Sequence, residues 1–98
     1  MAKLEQAEAQ RRVAELKAWT LDGDAIKRQF TFRSFPDAVA FVCRLAFDAE
    51  AADHHPDILI NYKRVTLTYS THSEGGLTAK DFDGARAADA IAAAMART

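Results

Sequence analysis

Residues 3 to 18 are dominated by Ala, Glu, Gln, Lys and Leu, which lose little conformational freedom in a helix. Leu4, Ala7, Val13 and Leu16 give only a partial apolar stripe, which predicts an exposed helix packed by one edge. From Trp19 to Phe32 the period changes to two. Ile26, Arg28, Phe30 and Phe32 share one parity and Lys27, Gln29 and Thr31 the other, with Trp19-Thr20-Leu21 on the far side of Asp22-Gly23. Glycine accepts the positive φ of a tight turn, so this segment predicts a hairpin.

Ser34-Phe35-Pro36-Asp37 has the chemistry of a helix start: a capping hydroxyl, a proline suited to the first turn, and an acid facing the positive end of the dipole. Ala38, Val39, Val42, Leu45, Ala46 and Ala49 recur at helical spacing behind it. The helix is expected to stop near Asp53 or His54, because Pro56 forces the residue before it out of the helical region. Alternation resumes with Ile58, Ile60 and Tyr62, then with Val65, Leu67 and Tyr69 against Arg64, Thr66, Thr68 and Ser70. This predicts a second hairpin, Asp57 to Tyr62 and Lys63 to Thr71, turning near Asn61-Tyr62-Lys63. After Gly75-Gly76, Thr78 and Asp81 stand at capping-box spacing, and Ala88, Ile91, Ala92 and Met95 can form the buried stripe of a last helix. The predicted order is α-β-β-α-β-β-α. Segregated hairpins imply an α+β domain, a four-stranded antiparallel sheet with three helices on one face.

Composition narrows the function classes. The chain has 98 residues, which suits one domain spanning 1–98, and a domain so small gains from oligomerisation. Hydrophobic residues make up 49% and charged residues 28%, with a net charge of -1. No basic footprint for nucleic acid follows from that balance, nor attraction to an anionic membrane. No stretch approaches the length of a membrane span, and the charged segment Met1 to Gln10 has no apolar core of the signal-peptide kind. The one cysteine, Cys43, has no partner for an internal disulfide and no neighbouring base, so it reads as a packing residue or inert thiol. A reducing cytoplasm is the expected compartment.

Candidate chemistry rests on His54, His55 and His72. Histidine titrates nearest neutrality and suits acid–base work. Two adjacent histidines leaving a helix point in different directions, and no third soft ligand stands near them, so no metal is expected. His72, by parity, shares a face with Thr68 and Ser70. The ordinary explanation for each histidine alone is a surface residue or a cation at a helix end. Glu50 lies four residues before His54 and can pair with it on one helical face, and Asp53 adjoins it; both are also plausible solvated acids. Asp81 reads most simply as a cap, and Trp19 as core, with a pocket-lining role as the alternative.

Together these residues carry more than they do singly. Glu50-Ala51-Ala52-Asp53-His54-His55-Pro56, then Tyr62, then His72, then Asp81, resembles the signature of the pterin-4a-carbinolamine dehydratase family. Ala18-Trp19, Gln29-Phe30-Thr31-Phe32, the Phe35-to-Phe41 segment, Ser70-Thr71-His72 and Gly76-Leu77-Thr78 extend the likeness over residues 12 to 96. The resemblance implies the same two-hairpin, three-helix fold, dimers by sheet extension and, in some members, tetramers by helix packing. It implies a hydro-lyase that dehydrates 4a-hydroxytetrahydrobiopterin to quinonoid dihydrobiopterin, recycling the pterin of aromatic amino-acid hydroxylases such as phenylalanine hydroxylase. Neither metal nor organic cofactor is implied. Residue by residue, His54 and His72 match the acid–base histidines and His55 the substrate-binding histidine with a share in catalysis. Glu50 matches the acid that supports the site and Trp19 the aromatic at the pocket's rim, and with His55 and Asp53 they are the expected substrate-binding residues. Two rival readings follow from the same resemblance. One is an interaction module, since animal members also serve a homeodomain transcription factor as dimerisation cofactors. The other is a member acting on a different pterin, such as one of the molybdopterin pathway.

Overall fold

The structure, a computed structural model, describes residues 2–96. Its elements are α1 (Gln6–Leu16), β1 (Thr20–Asp22), β2 (Ala25–Thr31), α2 (Phe35–Ala52), β3 (Asp57–Asn61), β4 (Arg64–Tyr69), a 3-10 turn (His72–Glu74) and α3 (Ala79–Ala96). The α+β order is the one the alternation of periods predicts. The first helix is shorter than residues 3 to 18. Its N-terminal neighbour Leu4 gives its amide to the Leu77 carbonyl at 2.7 Å, and Lys17 leaves the helix at φ 67°.

The four strands form one antiparallel sheet in the order β1-β2-β4-β3. In β2 and β4 alternate residues turn to the helices: Ile26, Phe30, Val65, Leu67 and Tyr69 are buried. They meet Phe41 and Leu45 of α2 and Phe82, Ala85 and Ala88 of α3, and these residues make the core. Arg28 shares the inward parity. It remains half-buried because its guanidinium lies 4.0 Å from the Phe30 ring centre and bonds Asp89 of α3 at 2.6 Å. An inward charge is tolerated only with such a partner. Both hairpins have two-residue loops. The first is Gly23-Asp24, one residue later than predicted, with Gly23 at φ 60°; the second is Tyr62-Lys63, with Tyr62 at φ 55°.

Ser34 caps α2 as its chemistry predicts, its hydroxyl accepting from the Asp37 amide at 3.2 Å. The far end of α2 is the feature that shapes the site. Asp53 takes the left-handed conformation (φ 53°, ψ 41°), its amide bonds the Glu50 carbonyl at 3.1 Å, and the next amide, of His54, bonds the Ala49 carbonyl at 3.1 Å. These two crossed bonds are a Schellman ending, usually built on glycine. It turns the chain sharply and directs His54 back across the end of its own helix.

Candidate active site

His54 emerges from that turn into the layer between sheet and helices. Its side chain is 12% exposed, and its ring lies over Tyr69, with centroids 6.0 Å apart and planes 23° from parallel. Nε2 stands 2.6 Å from Oδ1 of Asp81 in the first turn of α3. Asp81 is fully buried. Its other oxygen, Oδ2, accepts from the Thr78 amide at 2.9 Å and from the Thr71 hydroxyl at 2.8 Å. Thr71 and Thr78 hydroxyls are themselves 2.8 Å apart. Thr71 has a single hydroxyl proton and gives it to Asp81, so Thr78 donates to Thr71.

The expected pairing of Glu50 with His54 does not occur. Glu50 instead accepts from Nε2 of His55 at 2.8 Å, on the exposed side of the turn. Spacing of four residues brings side chains together only while the helix continues. The left-handed Asp53 ends α2 one residue too soon, rotates His54 inward and leaves His55 over Glu50. Asp53 itself is exposed, and its role in the structure is that of the left-handed cap.

His72 lies past the end of β4, yet it keeps to the side of Thr68 and Ser70, whose parity it shares. It opens the 3-10 turn, which is pinned at its base by the bridge between Thr71 and Gly76 and closed by Gly75 at φ 74°. The side chain is exposed and lines a cavity of about 350 Å³ with Asp24, Asp57, Thr68 and Ser70. His54 lines a separate cavity of about 340 Å³ with Asp48, Tyr69, Lys80 and Asp83. The connection between the histidines is the carboxylate. Asp81 holds His54 with one oxygen, and with the other it holds Thr71, the residue immediately before His72.

Trp19, the candidate rim aromatic, is 3% exposed. Its ring packs edge-on to Phe30 at 6.0 Å and against Tyr69 at 5.9 Å, and its indole N–H bonds Asp89 at 2.9 Å. No open face of that ring remains for a stacked heterocycle. Tyr69 is the aromatic that does meet a candidate histidine. Burial drives its phenol well above the usual range, and the negative charges of Asp48, Asp81 and Asp89 push it further, so it stays neutral and is not a base. Gly84 of α3 permits its position, because a Cβ there would stand 2.5 Å from the ring's Cε1.

The residues behind His54 are only partly legible in the sequence. Capping accounts for only one of the two Asp81 oxygens, Oδ2. Thr78 is legible as the cap of α3, but nothing in the sequence joins Thr71 to Asp81. A larger cavity, about 620 Å³, lies elsewhere, between the end of β2 and the end of α3, and holds none of the histidines.

A family model described as pterin 4 alpha carbinolamine dehydratase matches residues 2–91. A protein of Roseiflexus castenholzii, provisionally named a pterin-4-alpha-carbinolamine dehydratase, is 52% identical over 90 residues, which is 92% of this chain and 97% of that one. Among solved structures, a transcriptional coactivator/pterin dehydratase from Brucella melitensis superposes with a TM-score of 0.87 at 40% identity, covering 92% of this chain and 98% of the other. A pterin dehydratase-like protein identified as a RuBisCO assembly factor in the alpha-carboxysome shares the fold, with a TM-score of 0.64 at 24% identity over 76% of this chain and 86% of that one.

Proposed function

This chain belongs to the pterin 4 alpha carbinolamine dehydratase family, and from that premise we propose that it is a hydro-lyase acting on 4a-hydroxytetrahydrobiopterin or a close tetrahydropterin relative. The products are the quinonoid dihydropterin and water, which returns the pterin to aromatic amino-acid hydroxylases in the cytoplasm. The observation that carries this reading is His54, held at 2.6 Å by a fully buried carboxylate at the turn that also presents His55. A carbinolamine loses water when the C4a–O bond breaks with a proton delivered to the departing hydroxyl, while a ring nitrogen gives up its proton to form the C=N bond. A held imidazole, which can both give and take a proton, suits both transfers.

His54 is the principal acid–base group in this proposal and His72 assists. His55, oriented by Glu50, holds the pterin and shares in the proton transfers. Asp53 shapes the turn and borders the substrate through its exposed carboxylate. Trp19 acts from beneath, by packing against Tyr69, because stacking on substrate would require it to leave Asp89. General acid–base groups contribute about 10²- to 10⁴-fold each, so His54→Ala should lose at least about 10²-fold in dehydration rate. Equal rates for the variant and the wild type would defeat the assignment.

Two copies join along β3 to extend the sheet. That strand is an unpaired edge whose Ile58, Leu59 and Ile60 are 41%, 61% and 36% exposed. On the outer side of α2, Phe47 is 80% exposed and suits a further helix-packing contact. Lysines at Ile58 and Ile60 should convert the dimer to a monomer in sedimentation.

A further inference from the structure

We infer that Thr71 and Thr78 are positioning residues which, through Asp81, lock neutral His54 as the Nε2–H tautomer and make Nδ1 the nitrogen that exchanges protons with substrate. The inference rests on the dehydratase reading for its activity arm only. Its structural arm stands on hydrogen-bond bookkeeping. Oδ2 of Asp81 takes two donors, the Thr78 amide at 2.9 Å and the Thr71 hydroxyl at 2.8 Å. The Thr71 proton is directed there because Thr71 accepts from Thr78, whose oxygen in turn accepts from the Lys80 amide at 3.3 Å. With Oδ2 so engaged, Oδ1 is left for one partner, Nε2 of His54 at 2.6 Å. A carboxylate is an acceptor at both oxygens, so the shared proton belongs to Nε2.

Among the described residues Nδ1 has no hydrogen-bond partner. Every buried side-chain nitrogen and oxygen among the described residues does have a partner, so Nδ1 is in contact with solvent. The neutral ring therefore offers a lone pair outward, and the protonated ring offers an N–H at the same atom. Acid and base roles use one nitrogen, while the other never leaves Asp81. The Tyr69 ring closes one face of the imidazole and hinders its rotation. Thr71 also opens the turn that carries His72, so the same carboxylate fixes the position of both histidines.

Asp81→Asn gives a sharp test because the change preserves shape. The two donors at the Oδ2 position demand an oxygen there, so the new NH₂ faces His54. Nε2 must then accept, and the proton moves to Nδ1. Histidine-labelled ¹⁵N spectra, taken on the alkaline side of the His54 titration in the same sample, distinguish the tautomers directly. The wild type should show Nε2–H and Asp81→Asn should show Nδ1–H. Dehydration by Asp81→Asn should fall at least about 10²-fold in kcat with KM little changed, the scale of a lost acid–base group. Thr71→Val should lose roughly 10- to 150-fold in kcat, the size of one hydrogen bond to a charged group, and Thr71→Ser should restore it.

Nδ1–H in the wild type overturns the inference, as does an unchanged tautomer in folded Asp81→Asn, or a Thr71→Ser as impaired as Thr71→Val. The wild-type spectrum decides even if Asp81→Asn does not fold. Nε2–H in a wild type without dehydratase activity leaves the lock standing and defeats the functional reading instead.

Discussion

Replacing Gly84 with alanine probes the packing on which His54 rests. A Cβ at this position would lie 2.5 Å from Cε1, 2.8 Å from Cζ and 3.1 Å from Cδ1 of Tyr69. Real Cβ atoms do not come so close, so the ring or the helix has to shift. The ring has little room, since Tyr69 is 1% exposed and stands between Trp19 at 5.9 Å and His54 at 6.0 Å. Two effects oppose each other. Alanine is better than glycine by about 1 kcal/mol in a helix interior, whereas overpacking a core costs about 1–3 kcal/mol. The packing term wins, because the clash is with a rigid buried ring and not with the tip of a mobile chain. A net loss of about 1 kcal/mol lowers Tm by about 4–8 °C in a domain this small. Thermal unfolding followed by circular dichroism measures it, and the His54 ring resonances should move as the stack is disturbed. A Gly84→Ala protein that melts at or above the wild type, with His54 unmoved, would refute this account of the contact.

Two other consequences concern charges away from the histidines. Asp89→Ala strips the acceptor from both the Trp19 indole and the Arg28 guanidinium, and it should cost about 2 kcal/mol, read as a lower urea midpoint at unchanged slope. Glu8 is half-buried, and its carboxyl is lowered from 4.5 to about 2 by hydrogen bonds from Arg11 and then Arg12. A depressed carboxylate supports the fold above its unfolded pKa. Its contribution is therefore intact above pH 4.5 and fades as pH falls towards 2. An NMR titration of Glu8 with its midpoint near 2, rising in high salt, checks the pairing.

The fold was legible because its signals are local and periodic. Ile26 and Phe30, and Val65, Leu67 and Tyr69, alternate with polar residues, and the side that alternation selects is the side the helices cover. The Ser34 cap and the Thr78–Asp81 box bracket helices as their chemistry requires. The site was less legible, because its decisive contacts join residues far apart in sequence. Glu50 reaches His55 and not His54 because a left-handed residue at Asp53 breaks the helical register, and nothing about an aspartate announces that conformation. His54 meets Asp81 across 27 positions through an oxygen that local capping leaves free. Strand parity extended past the strand's end at Tyr69 sets His72 beside Thr68 and Ser70, and the three line one cavity. Trp19 was open to two readings, and its bond to Asp89, 70 residues away, places it in the core.

The central claim is that this protein dehydrates a 4a-hydroxytetrahydropterin through His54. Stopped-flow absorbance of that carbinolamine, generated in situ, compares the spontaneous rate with the rates given by wild type and His54→Ala. A wild-type rate far above the spontaneous one, falling at least about 10²-fold in a folded His54→Ala, is the predicted result. A wild type that leaves the spontaneous rate unchanged, or a His54→Ala variant as fast as the wild type, would contradict it.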